Sequence, residues 1–256
     1  MPIQYARRLV GPKRSADANQ QLGFVLCFFA GTVHALGIAA MLAYNQHATH
    51  SASTAGGAWT DLVGGLAAVS AGGLFCFLTG AVLATGLVGF ARHRRLQSEY
   101  ALPLLLESLL LLLIGIVDAQ GTAADGLGLF AVLMVLSLSM GMQNAAVTLM
   151  SNAEIRTTNI FPLLIAIGSE LGQRIAIDAD ADADADADAA PGKTKPPPGN
   201  DRLALLNLLA LYFLLGLAVG WLGFEQVGFA AILPFAITLA VMTAVPVIDD
   251  LMLARR

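Results

Sequence analysis

Charged residues are scarce in this chain. Asp, Glu, Lys and Arg together make up 12% of its 256 residues, about half of the ~25% that is usual in soluble domains. Hydrophobic residues make up 57% of the chain, and the mean hydropathy is +0.71. This composition excludes an ordinary soluble domain and indicates an integral membrane protein.

Several chemical signatures are also missing. The chain has 2 cysteines, Cys27 and Cys76, both inside apolar stretches, so they form neither a disulfide framework nor a metal-ligand spacing. We find no nucleophile motif, no phosphate-binding loop and no clustered basic face of the kind that nucleic acid requires. We therefore expect no enzyme activity, no catalytic residues, no metal, no cofactor and no nucleic-acid partner.

Long apolar stretches fill most of the chain, and a spanning helix needs about 20 such residues to cross the hydrocarbon core. All 14 Lys and Arg residues fall into four segments that flank these stretches, whereas the loops after the first, third and fifth stretches carry none. The positive-inside rule then predicts six crossings, with both termini and the two long loops in the cytoplasm. The stretches are 22–42, 63–90, 101–118, 127–150, 203–222 and 226–247.

The chain divides into four parts. We predict a basic cytoplasmic lead over 1–20, a first membrane repeat over 21–118 and a second over 127–248, which a cytoplasmic loop over 178–202 interrupts. Six Asp alternate with Ala over 178–188, and Pro residues follow. Because like charges repel and there is no apolar surface to bury, we predict that this acidic and Pro-rich loop is disordered.

The two membrane parts resemble each other. Gly31-Thr32-Val33-His34-Ala35 has the pattern Gly-x-x-polar-Ala, and Gly141-Met142-Gln143-Asn144-Ala145 repeats it. Downstream, Phe77-Leu78-Thr79-Gly80 matches Phe213-Leu214-Leu215-Gly216. The two motifs lie farther apart in the second half than in the first, and the acidic loop accounts for nearly all of the excess. Each half has three crossings, an odd number, so the sequence predicts two inverted three-helix repeats, as in many secondary transporters.

One segment differs between the halves. The apolar part of 157–171 is too short to span, so we predict a re-entrant or interfacial segment near it. The corresponding segment of the first half, around 49–58, is polar, and we expect it to stay outside the membrane. The fold class predicted is thus an all-α, polytopic bundle of about six transmembrane helices with one additional partial crossing.

The central motif of the second half resembles a known family. The run Met140-Gly141-Met142-Gln143-Asn144-Ala145-Ala146-Val147-Thr148, followed by Ile155-Arg156-Thr157-Thr158, is similar to the signature of the YoaK family, a group of bacterial membrane proteins with a domain of unknown function. The resemblance covers about 20–248 and implies a multi-pass protein of the bacterial inner membrane, without an established activity.

The chain departs from that family at two places. The family usually has Asp or Asn in the first helix where this chain has His34. Its Thr-Gly elements are replaced here by Ala52-Ser53-Thr54 and Phe161-Pro162. A site that those Thr-Gly turns shape in the family is therefore altered or lost here.

Polar side chains inside the apolar stretches are the candidate solute-binding residues, because a polar group in lipid is unfavourable and normally faces the bundle interior or water. The alternative role is hydrogen bonding between helices, which is common in membrane bundles. The small residues of Gly80-x-x-x-Ala84 and Gly216-x-x-x-Gly220 indicate close helix packing. The candidate site residues are His34, Thr79, Glu107, Gln143, Asn144, Thr157 and Thr158.

Two functions are compatible with these features. The first is a small-solute or ion transporter with a site near the midplane between the repeats. The second is a non-transporting membrane scaffold whose acidic cytoplasmic loop recruits a basic partner. In both cases we expect the lipid bilayer as a partner, and a homo-oligomer is compatible with the sequence. A packed, dry centre would favour the scaffold, and a cavity between His34 and Asn144 the transporter.

Overall fold

The computed structural model describes residues 16–54, 59–94, 96, 98–118, 126–150, 160–185 and 200–253. Within these ranges all regular structure is helical, as predicted, and no strand occurs. A 3-10 turn, Gly228–Ile232, joins the last two helices, and Gly228 has a positive φ of 65° that favours glycine. The helices are α1 (Ala16–Thr54), α2 (Trp59–His93), α3 (Ala101–Asp118), α4 (Gly126–Met150), α5 (Ile160–Ala185), α6 (Asn200–Val227) and α7 (Leu233–Leu253).

Five described segments are long and apolar enough to cross a membrane. The last of them, Arg202–Ile248, has 47 residues and contains most of α6 and most of α7, so it accounts for two crossings. The prediction of an all-helical polytopic bundle is therefore confirmed. Helix α5 is not among these segments. The other four are Gln20–Thr49, Val63–His93, Ala101–Asp118 and Gly126–Met150.

Glycines create two close helix crossings. On α1, a Cβ added at Gly31 would overlap the carbonyl oxygen of Phe213 on α6, and one added at Gly216 would overlap the carbonyl oxygen of Phe28. Thr32 supports this crossing by donating a 3.1 Å hydrogen bond to the Gly216 carbonyl. Glycine alone allows two backbones to approach this closely.

The same arrangement joins α2 to α4. A Cβ at Gly141 would overlap the carbonyl oxygen of Phe77, and one at Gly80 would overlap that of Leu138. Ala84, one turn beyond Gly80, is fully buried. The predicted close-packing role of these small residues is confirmed. In both crossings the first helix of one half packs on the second helix of the other half, and the two helices run parallel.

Helices α3 and α7 run antiparallel, and each begins beside the end of the other. The Asp118 carboxylate, at the end of α3, accepts a 3.1 Å hydrogen bond from the backbone N–H of Ala230. The Asp250 carboxylate, near the end of α7, accepts a 2.8 Å hydrogen bond from the backbone N–H of Ser98. Each acid thereby satisfies a backbone donor at the start of the neighbouring helical segment.

Two of the buried apolar clusters lie at different levels and share α1, α3, α4 and α7, and Val69 of α2 adds to the first of them. One apolar cluster contains Leu36, Leu111, Leu136 and Ile232, and the other contains Leu26, Leu104, Ala146 and Leu239. A helix with an apolar surface on all sides is expected where one side packs inward and the other faces lipid. Many large side chains outside these clusters are indeed exposed, for example Leu74 at 72% and Leu127 at 76%.

The described arginine side chains gather at one end of the bundle. Arg92 at the end of α2 contacts Glu99 at 2.9 Å and the Tyr100 hydroxyl at 2.6 Å, and that hydroxyl lies 3.5 Å from the carbonyl oxygen of Leu149 near the end of α4. Arg202 at the start of α6 lies at the same end, because α6 runs parallel to α1 and antiparallel to α4. Among the described residues, these arginines therefore mark one basic end of the bundle, as the loop pattern predicts.

Two predicted boundaries differ from the structure. The polar segment around 49–58 was expected to be a loop outside the membrane; its loop character is wrong in part, because α1 continues to Thr54 and α2 begins at Trp59, while its place outside the membrane stays a prediction. The predicted disordered loop over 178–202 is helical at both its ends, because α5 continues to Ala185 and α6 begins at Asn200; 186–199 lie outside the described residues. Alanine is the strongest helix former, which explains why Ala-Asp alternation continues a helix already begun.

Candidate functional site

A cavity of about 480 Å³ lies between α1, α2 and α4. Its volume is within the range of roughly 300 to 1,000 Å³ that is usual for small-molecule sites. The lining is mostly apolar and contains three polar side chains, His34, Ser137 and Asn144. The remaining lining residues are Val33, Gly37, Ile38, Met41, Gly73, Leu74, Phe77, Leu133, Leu136 and Met140.

Helical periodicity explains which side chains reach the cavity. On α1, Gly37, Ile38 and Met41 lie three, four and seven residues after His34, which places all of them on one face. On α4, Met140 and Ser137 lie four and seven residues before Asn144, again on one face. The cavity therefore extends from the level of His34 and Asn144 toward the end of the bundle opposite the arginines.

His34 and Asn144, the polar residues of the two repeated motifs, border this one cavity. The His34 ring lies 5.8 Å, centroid to centroid, from the ring of Phe213, which holds it on the side of the cavity next to α6. The Asn144 amide donates a 2.8 Å hydrogen bond to the Met140 carbonyl, and this back-bond fixes its rotamer along the cavity wall. His34 is the only titratable residue among the described lining residues.

Two glycines make room for the cavity. A Cβ at Gly37 would meet no atom within 4 Å, so the space beside it is empty. A Cβ at Gly73 would lie 3.3 Å from the Ser137 hydroxyl oxygen. The cavity therefore depends on the absence of side chains at these two positions.

Three other predicted site residues lie away from the cavity. Gln143 is fully buried but does not line the cavity, because consecutive helical residues point about 100° apart. Glu107 is also buried, on α3. Thr79 donates a 2.8 Å hydrogen bond to the Phe75 carbonyl of its own helix and does not line the cavity. The structure thus brings His34 and Asn144 together and separates them from Gln143, Glu107 and Thr79; Thr157 and Thr158 lie outside the described residues.

Glu107 and Gln143 occupy the boundary between the two core clusters. Glu107 lies between Leu104 and Leu111, one from each cluster, and Gln143 lies between Leu136 and Ala146. Among the described residues, neither the Glu107 Oε2 nor the side-chain nitrogen and oxygen of Gln143 has a hydrogen-bond partner. An unpaired buried polar group is unfavourable by about 1–3 kcal/mol. Both residues thus lie at mid-height on their helices, between the two clusters.

Sequence reasoning missed Ser137 and the two glycines that open the cavity. A count of four and seven residues back from Asn144 along one helical face leads to Met140 and Ser137 and would have identified both. Gly37 is found in the same way, three residues after His34. Among the described residues, no three His, Cys, Asp or Glu side chains are placed to share a metal ion.

Comparison with known proteins gives one family. Residues 22–245 match the family described as "Protein of unknown function (DUF1275)", and the chain belongs to this family. The match covers the repeated motifs and all the cavity-lining residues, and it supports the resemblance to an uncharacterised family, although it does not carry the name YoaK. No curated protein and no solved structure matches the chain.

Proposed function

We propose that this member of the DUF1275 family is a transporter of small solutes in the bacterial inner membrane, with its binding site between His34 and Asn144. The observation that carries the proposal is that the polar residues of both repeated motifs border one cavity. Polar side chains inside a membrane bundle mark solute or ion pathways. A few polar groups in a largely apolar pocket orient a ligand and give specificity.

Reciprocal packing supports two inverted repeats. The glycine crossings pair α1 with α6 and α4 with α2 through the same carbonyl overlaps, so first and second helices are exchanged between the halves. Gly31 of α1 then corresponds to Gly141 of α4, and Gly80 of α2 corresponds to Gly216 of α6. A two-fold relation of this kind, with the site near the midplane, is the architecture of several transporter classes.

The third helix pair shows the same relation. The sequence separation between the two acceptors, Asp118 and Asp250, is identical to the separation between their donors, Ser98 and Ala230. Equal separations for donors and acceptors are expected if α3 and α7 are equivalent helices related by a two-fold axis. The inverted repeat thus rests on three helix pairs.

The lining favours a solute over a bare ion. Ion-selective sites in channels use rings of backbone carbonyls or of charged side chains, whereas here three polar side chains stand among ten apolar or glycine residues. We therefore expect the substrate to have an apolar body and one hydrogen-bonding or weakly acidic group, which His34, Ser137 and Asn144 would hold.

The orientation follows from the basic end. With the arginine-rich end in the cytoplasm, as the positive-inside rule requires, both termini are cytoplasmic and the cavity lies in the outer half of the membrane. We also propose that the chain is not an enzyme. A scaffold that only recruits a partner through the acidic segment would need no cavity bordered by the polar residues of both repeated motifs, so the cavity favours the transporter.

The test is ligand-dependent thermal stability. Purified protein is screened against a library of small amphiphilic and weakly acidic solutes, because a ligand that binds only the folded state raises its stability by about 2.7 kcal/mol at one hundred times its Kd. In parallel, Gly37→Leu places a side chain in the empty space of the cavity. Gly86→Leu is the matched control, since Gly86 is an exposed helical glycine that also has nothing within 4 Å of an added Cβ.

The expected result is a solute that stabilises the parent and Gly86→Leu but not Gly37→Leu. The same solute should then accumulate in proteoliposomes that contain the parent. A solute that stabilises all three proteins equally would place binding outside the cavity. Stabilisation without accumulation would contradict transport.

A further inference from the structure

We propose that α5 covers a second half-site, the counterpart of the open cavity in the cytoplasmic half of the bundle, and that α5 moves away when the transporter opens to the cytoplasm. This inference rests on the proposed function, because it uses the inverted repeat and the solute site. The half-site takes the same class of ligand, a small solute with an apolar body and one hydrogen-bonding group.

Equivalent residues locate the second half-site. Ser137 of the cavity lies four residues before Gly141, and its counterpart, four residues before Gly31 on α1, is Cys27. Gly73 lies seven residues before Gly80, and its counterpart, seven residues before Gly216 on α6, is Leu209. The counterpart of the cavity therefore lies beside Cys27 and Leu209, on the basic side of the glycine crossing.

That place is filled by α5. Leu163 of α5 packs with Cys27 and Leu209 in one cluster, and these residues are 1%, 0% and 1% exposed. Leu209 carries a side chain where its counterpart Gly73 leaves space, so this half-site is narrower, and Leu163 takes the remaining room. One repeat thus has an open cavity where the other has an inserted leucine.

The difference arises from the segments between the first and second helices. In the first half only 55–58 separate α1 from α2, too few residues to fold back along either helix. In the second half the whole of α5 intervenes and runs antiparallel along the start of α6. Leu209 lies seven residues beyond Arg202, so Leu163 reaches roughly 10 Å into the bundle at 1.5 Å per residue. This depth favours the re-entrant alternative for the segment near 157–171.

Few of the described contacts hold α5 to the bundle, so it can move. Its polar anchor is the Glu170 carboxylate, which lies 3.9 Å from the Arg202 guanidinium. An added Cβ at Gly168 would meet nothing within 4 Å, and Phe161 and Ile165 are 67% and 71% exposed. An element with few buried contacts opens more readily than the core that it covers. Alternating access requires one such cover on the closed side.

Cys27 provides a native reporter of this cover. Cys76→Ser leaves Cys27 as the only thiol, because the chain has 2 cysteines. Full-length protein in inverted membrane vesicles is treated with a charged, membrane-impermeant methanethiosulfonate reagent from the cytoplasmic side. In the parent we expect slow labelling, since Cys27 is fully buried. A chain that also carries Cys27→Ser measures the background.

Leu163→Ala tests the cover itself. Truncating a buried leucine removes packing free energy that corresponds to at least a factor of ten in an equilibrium constant. The open position of α5 should therefore be more populated, and Cys27 labelling should rise about tenfold. Ile165→Ala is the matched control, because it removes a similar side chain from the exposed face of the same helix and should leave the rate unchanged. Leu163→Val, a milder truncation, should give a smaller rise and serves if Leu163→Ala is not inserted.

Equal labelling of Cys27 in the parent, both Leu163 variants and the control would overturn the cover. This readout needs no solute, so it fails separately from the proposed function. Faster labelling of Leu163→Ala in a protein for which no solute is found would leave the cover standing and contradict the transporter. Solute transport by the parent, together with Cys27 labelling that Leu163→Ala does not change, would support the transporter and overturn the proposal that α5 covers Cys27.

Discussion

Asp118 and Asp250 perform the same task at opposite ends of one helix pair. Each carboxylate stands at the end of its own helix and accepts a backbone N–H at the start of the other, from Ala230 at 3.1 Å and from Ser98 at 2.8 Å. A carboxylate at its own helix C-terminus is unfavourable, whereas one beside a helix N-terminus is favourable. The antiparallel pairing of α3 and α7 brings each acid beside the favourable end of its neighbour.

The first prediction follows from this exchange. Asp118→Ala and Asp250→Ala should each lower the unfolding free energy by about 1–3 kcal/mol, because each leaves a backbone donor without its charged acceptor. Thermal unfolding in detergent measures both. Glu225→Ala is the control, since Glu225 accepts from Trp221 at the exposed surface and should contribute less than about 1 kcal/mol. A large loss in only one of the two Asp variants would contradict their equivalence.

The second prediction concerns the glycine crossings. Gly141→Ala places a methyl group on the Phe77 carbonyl oxygen, so α2 and α4 must separate, at a loss of about 1–3 kcal/mol or more. We expect poor yield and a lower Tm. Gly86→Ala adds the same methyl group in open space and should be neutral or slightly stabilising. If both variants unfold at the same temperature, the crossing does not limit stability.

The third prediction concerns His34 and pH. Histidine is the side chain that titrates between pH 5 and 8, and His34 is the only titratable residue among the described lining residues. His34→Leu should insert and fold normally, because leucine suits an intramembrane position, but binding of a stabilising solute should no longer change over this pH range. His34→Gln keeps a hydrogen-bonding side chain that does not titrate, so its binding of the solute should also not change with pH. A lower yield of His34→Leu would instead indicate a structural role.

The fourth prediction separates stability from activity at Glu107. Because the Glu107 Oε2 has no partner among the described residues, Glu107→Leu should leave thermal stability unchanged or raise it by about 1–3 kcal/mol. If Glu107 takes part in transport, the same variant should lose solute accumulation. A clear fall in Tm would show that the carboxyl group is a structural partner after all.

The fifth prediction concerns topology. Reporter fusions after Arg95 or within 186–199 should be cytoplasmic, and fusions near Ser53 or Asp125 external, because basic residues flank only the first two positions. The fusion after Arg95 retains the basic residues that precede it, so it should be cytoplasmic and serves as the reference. An external signal from 186–199 would reverse the second half and with it the inverted repeat.

Several elements could be predicted from the sequence because they depend on length and composition. The hydrocarbon core requires long apolar helices, so the six stretches correspond to α1, α2, α3, α4, α6 and α7. Hydropathy reports only what lies in lipid, however, and so it missed that α1 continues through a polar segment to Thr54. Gly31, Gly80, Gly141 and Gly216 could be found as packing positions, but their cross-pairing between halves depends on tertiary contacts.

The candidate site could be predicted in part from the repeated motifs. His34 and Asn144 were identified because each is polar within a repeated motif, and both border the cavity. Gln143 was grouped with Asn144, but adjacent residues on a helix face different directions, so only one of them can reach the cavity. Helical spacing from His34 places Gly37 on the same face, but the empty space beside Gly37 depends on how the neighbouring helices pack and could not be predicted from that spacing.

The cross-pairing of helices has a consequence for biogenesis. Helix α1 ends at Thr54 and its main partner α6 begins only at Asn200, while α2 ends at His93 and its partner α4 begins at Gly126. The first three helices therefore leave the ribosome and enter the membrane before any of the glycine surfaces on α1 and α2 has its counterpart. The crossing of α1 with α6 therefore forms only after nearly the whole chain has been synthesised. Two separately expressed halves, neither able to complete a crossing alone, could mature only by finding each other in the bilayer.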